Sequence, residues 1–427
     1  MRDRTSAGPS LERYRLPLGA ALLLGALFTA ALLLSSPGQE SSPLPDTGEC
    51  TVGLASGRAT SDGRPMIWKT RDAGAIHNEV VWVGDREIPY VAVVTAGHSS
   101  VWMGINREGF AILNSLSSDL PGGESGPGNG GVMEHALGAC ATVAEFEDYL
   151  ERTNRSGRRT RANFAVLDAS GAVALFETSG DSFWKYDAND PEVAPYGYLV
   201  KTNFAYHGGG EGGIERFHRT SRLVPGYHAA GELNPRSILQ DQMRDFSRPT
   251  GEPLPVPFEE RWEPDKPVGY IHVDKSICRT TSVSAAVMQG VRGGEPSELS
   301  TLWAMLGQPA ASITIPYWPV GPTPPEADGP ETAPLCDVSR KIRGMLFDLP
   351  GEENRHFLDT RKLRDGRGGG VWSITLAAED SILTAAGELL EEWRRHPPTT
   401  DEILQVEERF TDYALGILQN AYSTLRR

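Results

Sequence analysis

The sequence predicts an α+β domain in which successive β-hairpins precede a helical C-terminus. Short apolar stretches are separated by turns such as those at residues 60–63 and 106–109, a spacing typical of antiparallel strands. Glycine (47 residues) and proline (31 residues) are abundant, as expected of a turn-rich chain. Long helices are predicted at 380–395 and 400–425. Strands interleaved with a few helices favour a layered α+β architecture.

The remaining elements follow in order along the chain. A helix is expected at residues 132–150, and the region 211–267 is expected to be helical and broken by prolines. The glycine-rich segment 122–131 lacks the Lys and Ser/Thr of a phosphate-binding loop. We interpret it as a flexible loop near the active site or as a linker. Strands are expected at 50–59, 65–70, 79–83, 90–94, 101–105, 110–113, 163–167, 173–177, 198–203, 270–272, 281–288 and 312–316.

The N-terminus carries a predicted export signal. Four arginines precede an apolar run at residues 16–34, and such a run inserts into the bilayer while its basic flank stays cytoplasmic. The run is long enough to span, so residues 1–35 are either a signal peptide or a membrane anchor. Residues 36–49 are polar and rich in Ser and Pro, which predicts a linker or propeptide. Residues 50–427 are expected to form one domain outside the cytoplasm, periplasmic or secreted, and either free or anchored.

The amino-acid composition limits the kinds of partner and cofactor that the protein is expected to bind. With 41 basic and 56 acidic residues the net charge is −15, which argues against nucleic acid and anionic membrane surfaces. The nine histidines show no metal-binding spacing, so we expect neither metal nor cofactor, and a small-molecule substrate. Besides Cys50, only Cys140, Cys278 and Cys336 occur. One disulfide among these three is compatible with export, and the sequence leaves both the pair and the oligomeric state open.

Cys50 follows the predicted linker and begins a predicted strand. A thiolate is a strong nucleophile that needs a base to take its proton. If Cys50 were the first residue of the mature chain, its own α-amino group, with a pKa of about 7.7–8, could be that base. Attack of the Cys50 thiol on the carbonyl of Glu49 would create this N-terminus, although removal by another protease is equally compatible with the sequence. By position alone a cysteine at a strand start is more often a core residue.

The segments that follow Cys50 favour a nucleophile over a core cysteine, because they form an ordered series. Together they resemble the N-terminal-nucleophile (Ntn) hydrolases of the choloylglycine hydrolase, penicillin V acylase and acyl-coenzyme A:6-aminopenicillanic acid acyltransferase group, and C69-type dipeptidases open similarly. The resemblance covers about residues 50–319; each segment is loose, but their order is fairly specific. The segments are 50–51, 59–63, 69–72, 103–109 with Asn114, 163–168 with Gly171 and Glu177, 201–204, and 276–281.

The resemblance implies a four-layer αββα sandwich with mixed, mainly antiparallel sheets. It also implies roles for five residues. Cys50 would attack an amide carbonyl, and Asp72 would hold the mature N-terminus. Asn203 and the Asn114 region would stabilise the oxyanion, where one amide donor lowers the barrier by roughly 3 kcal/mol. Arg279 would orient Asp72 and favour the thiolate.

One position departs from the family pattern. Lys69 stands where the family usually has Arg, and Lys cannot form a planar bidentate fork. Arg71 lies two residues further on, on the same face of the predicted strand, so either cation could serve. Lys69 is favoured because Asp72 keeps the family's spacing from it.

The leading hypothesis is an extracytoplasmic hydrolase of linear amides with an N-terminal cysteine released by autoprocessing. An acyltransferase of the same fold and a C69-like dipeptidase are the nearby alternatives. A catalytically dead, membrane-tethered binding protein is a fourth possibility, and only the Lys69 substitution supports it.

Overall fold

The computed structural model describes residues 48–329 and 331–427. The strands are β1 Cys50–Ala55, β2 Met66–Asp72, β3 Asn78–Val83, β4 Tyr90–Thr95, β5 Val101–Asn106, β6 Ala111–Leu116, β7 Ala162–Leu167, β8 Val173–Thr178, β9 Phe183–Asp187, β10 Tyr198–Lys201, β11 Tyr270–His272, β12 Ser282–Gln289, β13 Thr301–Leu306, β14 Ile315–Tyr317 and β15 Phe357–Asp359. The α-helices are α1 Asn129–Ala139, α2 Val143–Ser156, α3 Ile214–Ala230, α4 Pro334–Leu346, α5 Thr360–Leu363, α6 Val371–Arg395 and α7 Thr400–Leu425.

The strands form three sheets. A six-stranded sheet has the order β10-β1-β2-β12-β13-β14, and a seven-stranded sheet is a simple meander from β3 to β9. Strands β11 and β15 form a separate pair. Neighbouring strands run antiparallel in both large sheets. The predicted α+β fold with mainly antiparallel sheets is therefore confirmed.

The two large sheets face each other. Strands β1 and β2 of the six-stranded sheet contact β6 and β7 of the other. Every residue of β1 and β2 is buried, because both faces of these strands are covered. Helix α1 contacts β5 and β6, and an apolar cluster that includes Phe110, Phe146, Phe164 and Phe176 fills this helix–sheet layer. Strand β1, which carries Cys50, thus lies in the middle of the molecule.

Helices α6 and α7 contact β14 of the six-stranded sheet. A buried ion pair lies on this side: Arg244 donates two 2.8 Å hydrogen bonds to Glu379 of α6. The Glu379 carboxylate also accepts a 2.7 Å bond from the Thr314 N–H. Both charged side chains are almost fully buried, so each depends on the other for its compensation.

We expect Glu379→Gln to lower the free energy of unfolding by about 3 kcal/mol, because it leaves the Arg244 guanidinium buried without a counter-charge. Urea denaturation measures the loss. Glu388→Gln is the matched control, since Glu388 lies on the same helix and is exposed, and it should change stability by less than about 0.5 kcal/mol. Equal losses of unfolding free energy in the two variants would show that the Glu379 carboxylate is not needed to compensate the buried Arg244 charge.

Several elements differ from the prediction. The helix expected at 132–150 is two helices, because the chain is extended at Cys140 and restarts at Thr142, which caps α2 in a capping box with Glu145. Pro225 lies inside α3 and does not end it. Strands β9, β13 and β15 and helices α4 and α5 were not predicted from the sequence. Helix α6 begins at Val371, nine residues before the expected 380.

The predicted export signal and most of the predicted linker lie outside the described residues. Within the part that the structure describes, no helix has the length and apolar character that a membrane span requires. Cys50, Cys140, Cys278 and Cys336 are all free, buried thiols. Burial raises the pKa of Cys140 to about 11 and that of Cys278 to about 12. None of the disulfides left open by the sequence is formed.

Candidate active site

Cys50 begins β1, a central strand with β10 on one side and β2 on the other. Its backbone pairs with Arg71 of β2. Two residues further along, Val52 pairs with Lys69 on one side and with Lys201 on the other. The Cys50 residue is only 5% exposed. The hairpin predicted from the Asp-Gly turn therefore brings the second strand, with both candidate cations, against the thiol-bearing strand.

Both polar atoms of the Glu49–Cys50 peptide bond are held. The Cys50 N–H donates to Asn203 Oδ1 at 2.8 Å. The Glu49 carbonyl oxygen accepts from the Asp72 N–H, also at 2.8 Å. Asn203 is itself fixed, since its Nδ2 donates to the Leu116 carbonyl at 2.9 Å. The bond before the candidate nucleophile is thus oriented at its nitrogen and at its oxygen.

Lys69 reaches the thiol from β2. Its Nζ donates to Asn114 Oδ1 at 2.8 Å and to the Trp102 carbonyl at 3.0 Å. Burial lowers the pKa of Lys69 to about 8, while the charge of the Cys50 thiolate and a hydrogen bond to it oppose this shift. The Lys69 ammonium therefore interacts electrostatically with Cys50, and the first predicted asparagine, Asn114, orients it.

Arg71 contacts a further set of partners. Its guanidinium donates to Asn78 Oδ1 at 2.6 Å and lies over the Trp102 ring, 4.3 Å from the centroid. Its positive charge also acts on the site, by contributing to the lowered pKa of Lys69. Between the two cations that the sequence left open, the effect of Cys50 on the pKa of Lys69 favours Lys69.

Asp72 is fully buried. Its Oδ1 accepts a 2.6 Å hydrogen bond from the Ser282 hydroxyl, and its Oδ2 lies 3.8 Å from Arg216 Nη1. Burial raises the pKa of Asp72, and the positive charges of Arg279 and Arg216 oppose the rise. Within the described residues Oδ2 accepts no hydrogen bond, so one buried acceptor is available beside the Glu49–Cys50 bond.

Arg216, which the sequence did not single out, lies at the centre of the site. Its Nη1 donates to the Cys50 carbonyl at 2.7 Å and to Thr51 Oγ1 at 3.0 Å. Its Nη2 donates to Asn203 Oδ1 at 3.0 Å and to the Glu49 carboxylate at 2.8 Å. Arg216 is 1% exposed.

Helix α3 carries Arg216 in its first turn, and the helix start is built for it. Gly213 caps this helix with φ of 68°, a conformation that favours glycine. A Cβ atom at Gly213 would lie 2.4 Å from Arg216 Nη2. The glycines before α3 are a local signal for a tight helix start, but nothing in the sequence indicates which residue that start would position.

Arg279, predicted to orient Asp72, forms ion pairs with Glu49 and with Asp274, the latter at 3.0 Å. Burial lowers the pKa of Arg279, but the charges of Asp72 and Glu49 outweigh it and the net shift is upward. Arg279 therefore acts on Asp72 through charge, and it contacts the Glu49 side chain directly.

Two carboxylates hold the chain on either side of Asn203. Asp119 accepts from the Gly210 N–H at 2.9 Å. Glu177, the acidic residue at the end of the predicted 173–177 strand, forms a fully buried ion pair with Lys201 at 2.9 Å. Burial lowers the pKa of Lys201 to about 8, against the opposing effect of Glu177. These contacts fix the chain on both sides of the Asn203 amide.

In residues 48–329 and 331–427, no group of three or more His, Cys, Asp or Glu side chains is arranged to hold a metal ion. The arrangement offers a thiol, a buried ammonium, a buried carboxylate, two guanidiniums and two amides around one peptide bond. Such a set can stabilise a thiolate and a developing oxyanion without a cofactor.

No protein-family model matches the sequence, and no curated protein matches it. Among solved structures the chain is similar to penicillin V acylase from Agrobacterium tumefaciens, with 14% identity, a TM-score of 0.35, and coverage of 63% of this chain and 85% of that one. It is also similar to a mutant of the conjugated bile acid hydrolase from Clostridium perfringens (11%, TM-score 0.36, 60% and 89%). A third is the Caenorhabditis elegans ortholog of N-acylethanolamine-hydrolyzing acid amidase (13%, TM-score 0.36, 56% and 92%).

Proposed function

We propose that this protein is a self-processing Ntn amidohydrolase with Cys50 as its nucleophile. The observation that carries the proposal is that the Glu49–Cys50 peptide bond is held at both polar atoms beside the Cys50 thiol. Buried backbone groups are normally hydrogen-bonded, and the distinctive feature here is that a side-chain amide, that of Asn203, holds the Cys50 N–H. The facing sheets, with helices contacting each of them, support the four-layer sandwich expected for this class.

Processing would begin with attack of Cys50 Sγ on the Glu49 carbonyl carbon. An S–C bond forms, the C–N bond breaks, and the thiol proton passes to the Cys50 nitrogen. Water then hydrolyses the thioester, which releases a segment ending in Glu49 and restores the thiol. The Asp72 N–H, 2.8 Å from the Glu49 oxygen, is the donor that would stabilise the developing oxyanion.

In the mature enzyme the new α-amino group of Cys50 would take the thiol proton during attack on an amide substrate. Asn203 Oδ1, which accepts from the Cys50 nitrogen before cleavage, would hold that amine afterwards. Asp72 Oδ2 is the other acceptor available to it. The Lys69 ammonium, fixed by Asn114, would stabilise the thiolate in place of the family's arginine.

The acyl-thioester would then be transferred to water, giving hydrolysis of small, linear amides outside the cytoplasm. Transfer to an amine would give an acyltransferase with the same residues. To distinguish the two outcomes, the acyl-enzyme is trapped and then supplied with water alone or with water and added amines. The products show whether the acyl group passes to water or to the amine.

The mature N-terminus tests the proposal. Purified full-length protein, incubated and analysed by N-terminal sequencing and intact mass, is expected to begin at Cys50. Amide hydrolysis should rise in step with the cleaved fraction, because the α-amino base exists only after cleavage. Full activity in a chain that begins well before Cys50 would refute the proposal.

A further inference from the structure

The carboxylate of Glu49 lies on two buried guanidinium groups. Arg216 Nη2 donates to Glu49 Oε2 at 2.8 Å, and Arg279 Nη1 contacts the same oxygen. Arg216 and Arg279 are 1% and 7% exposed, whereas the Glu49 side chain is 33% exposed. The two arginines thus form a buried anion site that opens to solvent where Glu49 enters it.

This site loses its anion when the Glu49–Cys50 bond is cut and the preceding segment leaves. Arg279 would keep Asp274 at 3.0 Å, and Arg216 would keep Asp72 only at 3.8 Å. A buried guanidinium without a close counter-ion is costly, so it favours a new anionic partner. Arginine binds carboxylates strongly, because hydrogen bonds between the two charged groups are charge-assisted.

Glu49 lies on the acyl side of the bond that Cys50 would attack. The carbonyl carbon of Glu49 and its side-chain carboxylate carbon are the two ends of a five-carbon unit, the length of a glutaryl group. A substrate whose carbonyl carbon takes the place of the Glu49 carbonyl would carry its own carboxylate to the arginine pair if its acyl chain had this length.

We propose that Arg216 and Arg279 form the acyl-side specificity site of the mature enzyme and that it takes amides of dicarboxylic acids of about glutaryl length. This inference rests on the proposed function of Cys50. Cys50 Sγ attacks the amide carbonyl of a glutaryl amide, an S–C bond forms, and the amine leaves with the thiol proton. Water then hydrolyses the glutaryl thioester to glutarate and the free thiol.

The test compares two anilides on the mature wild-type enzyme. N-glutaryl-4-nitroaniline carries the carboxylate, and N-(4-carbamoylbutanoyl)-4-nitroaniline carries a neutral amide of the same shape. We expect kcat/KM for the glutaryl compound to be roughly 10- to 100-fold higher, as for a hydrogen bond between charged groups. Free glutarate should inhibit competitively, and the neutral diamide glutaramide should inhibit far less.

The outcomes separate this inference from the proposed function. Equal hydrolysis of both anilides would overturn the specificity site and leave Cys50 as the nucleophile. Failure of both compounds to be hydrolysed or to acylate Cys50, in protein whose mature chain begins at Cys50, would overturn this inference and leave the proposed function standing. Full amide-hydrolase activity in a chain that begins well before Cys50 would overturn the proposed function and this inference with it. A larger gain from a carboxylate on the amine side, in N-valeryl-4-aminobenzoate against N-valerylaniline, would overturn the acyl-side assignment.

A pair of variants on α3 adds an independent measurement. Arg216→Gln should reduce the preference for the glutaryl anilide to less than about 3-fold. Arg222→Gln should keep it, since Arg222 is half exposed and pairs with the exposed Glu252. An Arg216→Gln enzyme that processes and keeps the full preference would contradict the site. If this variant does not process, the wild-type substrate and inhibitor ratios decide.

Discussion

Cys50→Ala is expected to leave the Glu49–Cys50 bond uncut and to reduce amide hydrolysis by at least about 10⁴-fold, the scale of removing a catalytic nucleophile. The variant lacks the sulfur that attacks in both reactions, while the hydrogen bonds of the Cys50 backbone to Asn203 and Arg216 remain possible. Intact mass and N-terminal sequencing measure the cleavage. Release of 4-nitroaniline measures the hydrolysis.

Cys140→Ala is the matched control. Cys140 is also buried and free, but it belongs to the apolar cluster between α1, α2 and the seven-stranded sheet. This variant should process normally and keep its activity, with only a modest loss of stability. Cleavage of the Cys50→Ala chain at the same bond would assign processing to another protease. Undiminished amide hydrolysis by that variant would exclude Cys50 as the nucleophile.

The part of the site that is local in sequence was predictable. Cys50, Lys69 and Asp72 lie on one hairpin whose Asp-Gly turn sets the pairing of β1 with β2, so their proximity follows from strand register. Asn203 follows the strand that pairs on the other side of β1. The order of motifs was informative because each of these residues lies at or next to a strand of the same sheet.

The part that depends on long-range packing was not predictable. Arg216 reaches Cys50 only because α3 docks against β10 and β1, and an arginine near a helix start has no distinctive pattern. The sequence also left open which residues the Arg71 side chain contacts, because this too depends on tertiary packing. Alternation along a strand gives its face, whereas the choice of Asn78 as partner comes from tertiary packing. Strand β13 was missed because it is an apolar run buried throughout, without the alternation of a half-exposed strand.

The buried ammonium of Lys69 should set the alkaline limit of activity. Its pKa is lowered to about 8, so the charged form is present below that pH and is lost as the pH rises through it. Because the ammonium stabilises the Cys50 thiolate, we expect kcat/KM to fall above about pH 8. Lys69→Arg should move this fall to higher pH, since a guanidinium stays protonated.

Lys69→Met should lower kcat/KM by about 10²–10³-fold below pH 8, the scale of losing one electrostatic stabiliser of the reacting atoms. The difference from the wild type should shrink above pH 8, where wild-type Lys69 loses its own charge. The control is Lys201, whose pKa burial also lowers to about 8 and which pairs with Glu177 at the end of β10, before Asn203. In Lys201→Arg, kcat/KM should still fall above about pH 8. The opposite result would be a fall in kcat/KM that moves to higher pH in Lys201→Arg and stays near pH 8 in Lys69→Arg. The titrating group would then be Lys201, and the thiolate would be stabilised without the Lys69 proton.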